Sequence, residues 1–299
     1  EKAVRGLPRG NILSEPMGRD TSGCLALALA FLSRMGEDRT MVAVTADHFI
    51  TPDERFHADC RAAIEQAEAE DVLVTFGVQP TRPETGYGYI ELGNKVAERE
   101  GSAIYEVVRF REKPDEQTAR KFVEAGNFLW NSGMFVWRSS ALRRAMTEHA
   151  PYLARAASEM AAALGQPGER ERLTDIFARL PKTSIDFAVM ERARNVRCVR
   201  ATFKWDDVGS WPALARLHPT DKDGNVVLGN ALLLETSNSI IYSCADEANQ
   251  DAPLIATMGI EDIVVVASGD AILVCHRDHA QRLKEIVQRL REAHGERYC

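Results

Sequence analysis

Two stretches carry aspartates where an apolar run gives way to polar or glycine-containing sequence. Thr45-Ala46-Asp47-His48 closes a run that begins at Met41, and Lys204-Trp205-Asp206-Asp207-Val208-Gly209-Ser210-Trp211 follows one that ends at Phe203. Two carboxylates brought together from distant strand ends would hold a hard cation, and Mg²⁺ in such a setting serves phosphate chemistry. Each aspartate also has a plainer reading. Asp47 could cap the helix opened by Pro52, and Asp206-Asp207 could form a tight turn between aromatics, with either one pointing inward.

Four further segments set polar groups among apolar ones. Glu112-Lys113-Pro114 is a charged pair stopped by proline: the lysine could reach a phosphate and the glutamate could accept from hydroxyls, or the two could form a solvated ion pair. Asn131 stands between Trp130 and Phe135 in Trp130-Asn131-Ser132-Gly133-Met134-Phe135, and a buried amide needs partners, whether a sugar's hydroxyls or the backbone of a bulge. Gly86-Tyr87-Gly88-Tyr89 permits close approach of backbone to a ligand, or merely a bend at a strand start. Glu15-Pro16-Met17-Gly18-Arg19-Asp20-Thr21 offers carboxylates, a guanidinium and backbone donors suited to a guanine edge, or an ordinary helix cap at Asp20 or Thr21.

The elements that must position these groups follow from periodicity. Helical spacing runs from Thr21 to Met35 and from Pro52 to about Ala69. Met41–Ala46 and Val72–Val78 read as buried parallel strands, the first a central one with Asp47 at its carboxyl end, so the start of the chain predicts a strand–helix–strand rhythm. Strands at 86–91, 104–111 and 131–137 then predict a mixed sheet, with helices from Pro114 and Ser139, a charged helical layer over 153–180, a short helix at 184–192 and a strand at 195–203. Beyond Pro219 the segments 223–227, 229–233 and 238–242, separated by Gly and Asn, suggest β-solenoid rungs. Strands at 262–267 and 271–275 and an amphipathic helix from Asp278 to Ala293 follow. The fold class is therefore α/β, with domains at 1–218 and 219–299.

Composition narrows the partners. The 299 residues are 45% hydrophobic and 27% charged, with a net charge of −7, which argues against a nucleic-acid face. Six scattered cysteines without a CxxC pair, Cys24, Cys60, Cys198, Cys244, Cys275 and Cys299, point to free thiols in a reducing, cytoplasmic setting. No stretch approaches the length of a membrane span, and His276 and His279 read as surface residues rather than metal ligands.

Taken in order, Glu15–Thr21, Ala46-Asp47-His48, Gly86–Ile90, Phe110–Pro114, Trp130–Phe135, Ser184–Glu191 and Trp205–Trp211 resemble the motifs of the mannose-1-phosphate guanylyltransferases, a branch of the sugar-1-phosphate nucleotidyltransferases, over about residues 11 to 290. The resemblance implies a Rossmann-like nucleotidyltransferase domain followed by a short left-handed β-helix-like tail. It implies formation of GDP-mannose and pyrophosphate from GTP and mannose 1-phosphate. In that scheme Asp47 and Asp207 bind Mg²⁺, Gly88, Glu112 and Asn131 hold the mannose, Lys113 contacts the sugar phosphate, and Asp186 orients both. Glu15, Arg19, Asp20 and Thr21 line the guanine pocket.

Two departures accompany it. The family's opening strand and Gly-Gly-x-Gly-x-Arg phosphate loop are not in this sequence, which begins about 50–60 residues downstream of where such a βα unit would start. The family also usually has Asn where Asp20 stands. A non-catalytic sugar-nucleotide-binding paralogue is the alternative, a glycosyltransferase is disfavoured by the lack of an early DxD, and a homodimer through the tail is compatible with the pattern.

Overall fold

Short apolar strands that alternate their side chains between two faces need helices on both sides, and the chain supplies them. The computed structural model describes residues 8–36, 38–245 and 252–295. It divides into two units, one running to Trp205 and the other starting at Asp206, whereas composition puts the change of character near Pro219.

The first unit runs α1 (Asp20–Arg34), β1 (Thr40–Ala43), β2 (Phe49–Thr51), α2 (Asp53–Ala69), β3 (Leu73–Val78), β4 (Tyr89–Arg99), β5 (Ser102–Arg111), α3 (Glu116–Ala125), β6 (Phe128–Arg138), α4 (Ser139–His149), α5 (Pro151–Ala163), α6 (Glu169–Ala178), a π-helical turn (Asp186–Met190), β7 (Val196–Arg200) and the start of β8 (Lys204–Asp206), whose last residue opens the second unit. Six strands form one sheet in the order β1-β6-β3-β7-β5-β4, β4 also pairs with β6, and β2 and β8 form a separate ribbon. Among the described residues, β3 and β7 pair in parallel within the large sheet and the other pairs are antiparallel.

The period-2 pattern fixes which side chain goes where. Leu73, Leu129, Phe135 and Trp137 face a core shared with α1, α4, α5 and α6. Val74, Phe76, Trp130 and Val136 face the other core, against Ala63 and Ala67 of α2. One buried charge locks α2 to the sheet: Asp59 accepts from Ser102 Oγ and from the Thr202 backbone N at 2.7 Å.

The Met41–Ala46 reading is corrected here. β1 is shorter, antiparallel to β6, and lies at the sheet edge among the described residues. Val42 and Val44 are exposed. An uninterrupted apolar run reads as a central strand because periodicity does not register which neighbours a strand will find. Among the described residues, Asp47 thus follows a strand paired on one side, to β6. The helical layer over 153–180 is two helices, parted by the left-handed glycines Gly165 and Gly168.

The second unit contains α7 (Leu214–Leu217), β9 (Val226–Leu228), β10 (Ala231–Ser237), β11 (Ile240–Cys244), β12 (Ile255–Glu261), β13 (Ile263–Ser268), β14 (Ala271–His276) and α8 (Leu283–His294). β9, β11 and β13 stack in parallel, with Val226, Ile240 and Val264 in register and buried, and β10 pairs in parallel with β12. This is the β-helix-like architecture. Its strands start two or three residues after the predicted rungs, because Gly224, Gly229 and Asn238 turn corners at positive φ. Asn225 closes one corner: its Nδ2 donates to Thr236 O at 2.8 Å and its Oδ1 accepts from Ser239 N at 2.9 Å.

Candidate active site

Strand register brings the first unit's polar residues together. β4 pairs Tyr89 with both Arg111 of β5 and Trp130 of β6. The residues one step beyond, Gly88, Glu112 and Asn131, therefore gather at one end of these strands. Asn131 N donates to Gly88 O at 2.8 Å. A Cβ on Gly88 would stand 2.0 Å from Glu112 Oε1 and 3.3 Å from Asn131 Cβ, so only glycine leaves the carboxylate its place. Tyr87, wedged edge-on against Trp130 and Trp205, and the Arg82 guanidinium, 4.9 Å from the Trp130 ring, hold the approach to Gly88.

Asp186 joins this group from the π-helical turn, a distortion that often marks functional positions. Asn131 Nδ2 donates to Asp186 Oδ1 at 2.7 Å and to Glu112 Oε1 at 3.4 Å. One amide thus bridges two carboxyls.

Their electrostatics follow. Burial, and then the neighbouring Asp186, push Glu112 up to about 7, with Asn131 and Lys113 pulling the other way and Glu191 adding a small upward push. Burial also raises Asp186, against the Asn131 bond, and Asp20 adds to the rise. Lys113 is exposed, at φ 43°. The cluster combines one fixed amide, two carboxyls and a nearby cation, an arrangement able to accept and donate to vicinal hydroxyls next to a phosphate.

The predicted base-binding loop leads into α1. Burial raises Glu15. Arg19 donates through Nε to Phe177 O at 2.7 Å and through Nη2 to Ala178 O at 3.2 Å, at the C-terminal end of α6, where a cation complements the helix dipole. Asp20 sits at φ 61°, a region that Asn and Asp tolerate better than most residues, and its Oδ1 accepts from Thr21 N at 2.8 Å. Thr21 Oγ1 accepts from Ile185 N at 2.9 Å, which ties the start of α1 to the residue before Asp186.

The two aspartate motifs have different surroundings. Asp47, in the first unit, is exposed. Its neighbour His48 accepts through Nδ1 from Trp205 Nε1 at 2.9 Å. In the second unit Asp206 is only 6% exposed and holds Arg216 through both oxygens, at 2.6 and 2.9 Å. Asp207 is less buried, and its Oδ1 accepts from Gly209 N at 3.0 Å. The question left by the sequence is therefore resolved for burial: Asp206 is the inward, structurally committed residue. No group of three or more His, Cys, Asp or Glu side chains able to hold a metal occurs among the described residues.

Sequence reasoning gave no role to Thr75, Ser184 or Glu191. Ser184 and Glu191 act on the two carboxyls, and Thr75 lies 3.4 Å from Asn131 Oδ1. The available signal for Thr75 was a lone hydroxyl in the apolar run Leu73–Val78.

Comparison with known proteins bears on this arrangement. The model of the nucleotidyl transferase family matches residues 6–224, and that of the MannoseP isomerase/GMP-like beta-helix domain matches residues 229–290. A mannose-1-phosphate guanylyltransferase of Klebsiella pneumoniae is 37% identical over 289 residues, covering 96% of this chain and 59% of the relative. One of Escherichia coli is 38% identical over 283 residues, covering 94% and 58%. The chain thus spans about three fifths of the length of the curated relatives it matches. Among solved structures, a protein of Thermus thermophilus described as a mannose-1-phosphate geranyltransferase superposes with a TM-score of 0.81 at 35% identity, covering 93% of this chain and 77% of that one.

Proposed function

The chain belongs to the nucleotidyl transferase family, and from that footing we propose that it transfers the guanylyl group of GTP to mannose 1-phosphate, yielding GDP-mannose and pyrophosphate. The observation that carries the reading is the Asn131 amide held between Glu112 and Asp186 beside Gly88. A phosphate oxygen of the sugar phosphate attacks the α-phosphorus in line. The bond from that phosphorus to the β-phosphate oxygen breaks, and pyrophosphate departs with the electron pair. No protein nucleophile is needed, so the protein's work is positioning and charge neutralisation.

Glu112 and Asn131 bind sugar hydroxyls in this scheme. Lys113 meets the sugar phosphate, and Asp186 orients the amide and the lysine. Glu15, Asp20 and Thr21 face the guanine, with Arg19 fixing their loop to α6. Asp47 and Asp207 are the carboxylates that would hold Mg²⁺. Their donor chemistry suits it: hard oxygens, few in number, with the remaining positions left to phosphates and water. When bound, the ion supplies neutralisation of phosphate charge. Free Cys24, Cys60, Cys198, Cys244 and Cys275 support a reducing, cytoplasmic setting; Cys299 lies outside the described residues. Exposed Leu232, Leu234 and Met258 on β10 and β12 support a homodimer through the second unit.

The test is turnover by the purified protein with GTP, mannose 1-phosphate and Mg²⁺, set beside the Asn131→Ala variant and beside glucose 1-phosphate. Pyrophosphate release that needs Asn131 and prefers mannose 1-phosphate supports the reading. Release indifferent to both the sugar and Asn131 refutes it.

A further inference from the structure

We propose that Thr75 is a positioning residue for the sugar site, its hydroxyl fixing which way the Asn131 amide faces; the substrate named here rests on the proposed function, the geometry does not. Thr75 is fully buried in a strand otherwise made of Leu, Val, Phe and Gly. A hydroxyl placed there costs free energy unless it is bonded, so its partners give the reason for its presence.

Those partners lie across an irregularity in the sheet. The register between β3 and β6 steps from Thr75↔Phe135 to Gly77↔Asn131, two residues on one strand against four on the other. Ser132, Gly133 and Met134 stand against Phe76 alone and form a bulge, with Gly133 at φ 70°. Bulges beside functional sites re-aim a side chain and disrupt the local ladder of hydrogen bonds. Here two hydroxyls fill the gaps: Ser132 Oγ donates to Phe76 O at 2.9 Å, and Thr75 Oγ1 lies 3.1 Å from Met134 O.

The same Thr75 oxygen lies 3.4 Å from Asn131 Oδ1, so its single proton is shared between that oxygen and the Met134 carbonyl. Gly133 N donates to Asn131 Oδ1 at 3.3 Å. Donors thus sit on the Oδ1 side of the amide and carboxyls on the Nδ2 side. A turned amide would set Oδ1 against Asp186 and Glu112, and Nδ2 against a backbone N–H. Thr75 is fully buried and acts through Asn131.

Thr75→Val keeps the shape and removes the donor; Thr75→Ser keeps the donor. Two signals are read on each: the Asn131 side-chain amide resonances without ligand, and calorimetric affinities for mannose 1-phosphate and GTP. Thr75→Val is expected to shift the Asn131 amide and weaken mannose 1-phosphate about tenfold, with GTP affinity within about twofold, and Thr75→Ser to restore both signals. An unmoved amide in Thr75→Val, equal losses for both ligands, or failure of Thr75→Ser to restore would overturn the role. If Thr75→Val does not fold, Thr75→Cys, which keeps bulk and donates weakly, is read with the same expectations and the same overturning results. Should the unmodified protein not bind mannose 1-phosphate, the proposed function falls, while the ligand-free amide signal still decides the role of Thr75.

Discussion

Replacing Glu112 by glutamine is expected to make the protein more stable at alkaline pH while impairing sugar binding. The folded state holds Glu112 up at about 7, against an ordinary 4.5. Between those values the folded protein keeps a proton that the unfolded chain has released. The stabilising effect of that proton is complete below 4.5 and is lost as pH rises through about 7. At about 1.4 kcal/mol per pH unit, the full window is worth ~3 kcal/mol at pH 8. Partial solvation and the Asn131 bond, which favours the charged form, bring the expected gain from Glu112→Gln to ~1–2 kcal/mol at pH 8. At pH 5 the native carboxyl is largely protonated and its amide mimic brings little change. Urea unfolding followed by tryptophan fluorescence suits the measurement, since Trp130, Trp137 and Trp205 all lie in the first unit. An equal gain at both pH values, or a loss at pH 8, would refute the view of Glu112 as a carboxyl burdened by burial and by Asp186.

Other substitutions test neighbouring parts of the account. Gly88→Ala should drive Glu112 from its place, since the new Cβ would meet its Oε1, and calorimetry should show mannose 1-phosphate binding weakened about 100-fold, with ~1 kcal/mol lost in stability because the atom that must move is the end of a flexible side chain. Asp207→Ala should abolish turnover with the urea midpoint unchanged, and chelation of Mg²⁺ should do the same to the unmodified protein. Asp206→Ala should instead lower stability by ~2 kcal/mol, because it removes a buried carboxylate that accepts two bonds from Arg216, a split that unfolding and activity measured side by side will read. Asp38→Ala should cost ~1 kcal/mol near neutral pH, as Asp38 accepts from Ser140 N at 2.8 Å at the start of α4. Burial opposes it, but donors from Ser140, Arg138 and Ser139 hold that carboxyl well below the usual range, so the cost should fade as pH drops below 3.8.

Most of the order of helices and strands was legible because the amphipathic and apolar segments had one sensible partner face; β2 (Phe49–Thr51) and β12 (Ile255–Glu261) were not read as strands. The gathering of Gly88, Glu112 and Asn131 was foreshadowed by three polar interruptions at strand ends, and the resemblance added Asp186. Topology was less legible. Met41–Ala46 has the composition of a central strand, yet among the described residues β1 is shorter and pairs on one side only, antiparallel to β6; apolar composition specifies burial propensity and not neighbours. Arg19 offered a guanidinium to the base loop, but its bonds to Phe177 and Ala178 involve residues more than 150 positions away and leave no local pattern. Thr75 was hidden for the same reason: its meaning depends on a bulge in another strand, and the bulge on Gly133 adopting positive φ.

Phosphorus NMR of the protein mixed with GTP, mannose 1-phosphate and Mg²⁺ tests the central claim most directly. The account predicts a sugar diphosphate signal and free pyrophosphate growing in equal amounts as the mannose 1-phosphate resonance declines. Inorganic phosphate and GDP appearing while mannose 1-phosphate persists would contradict it.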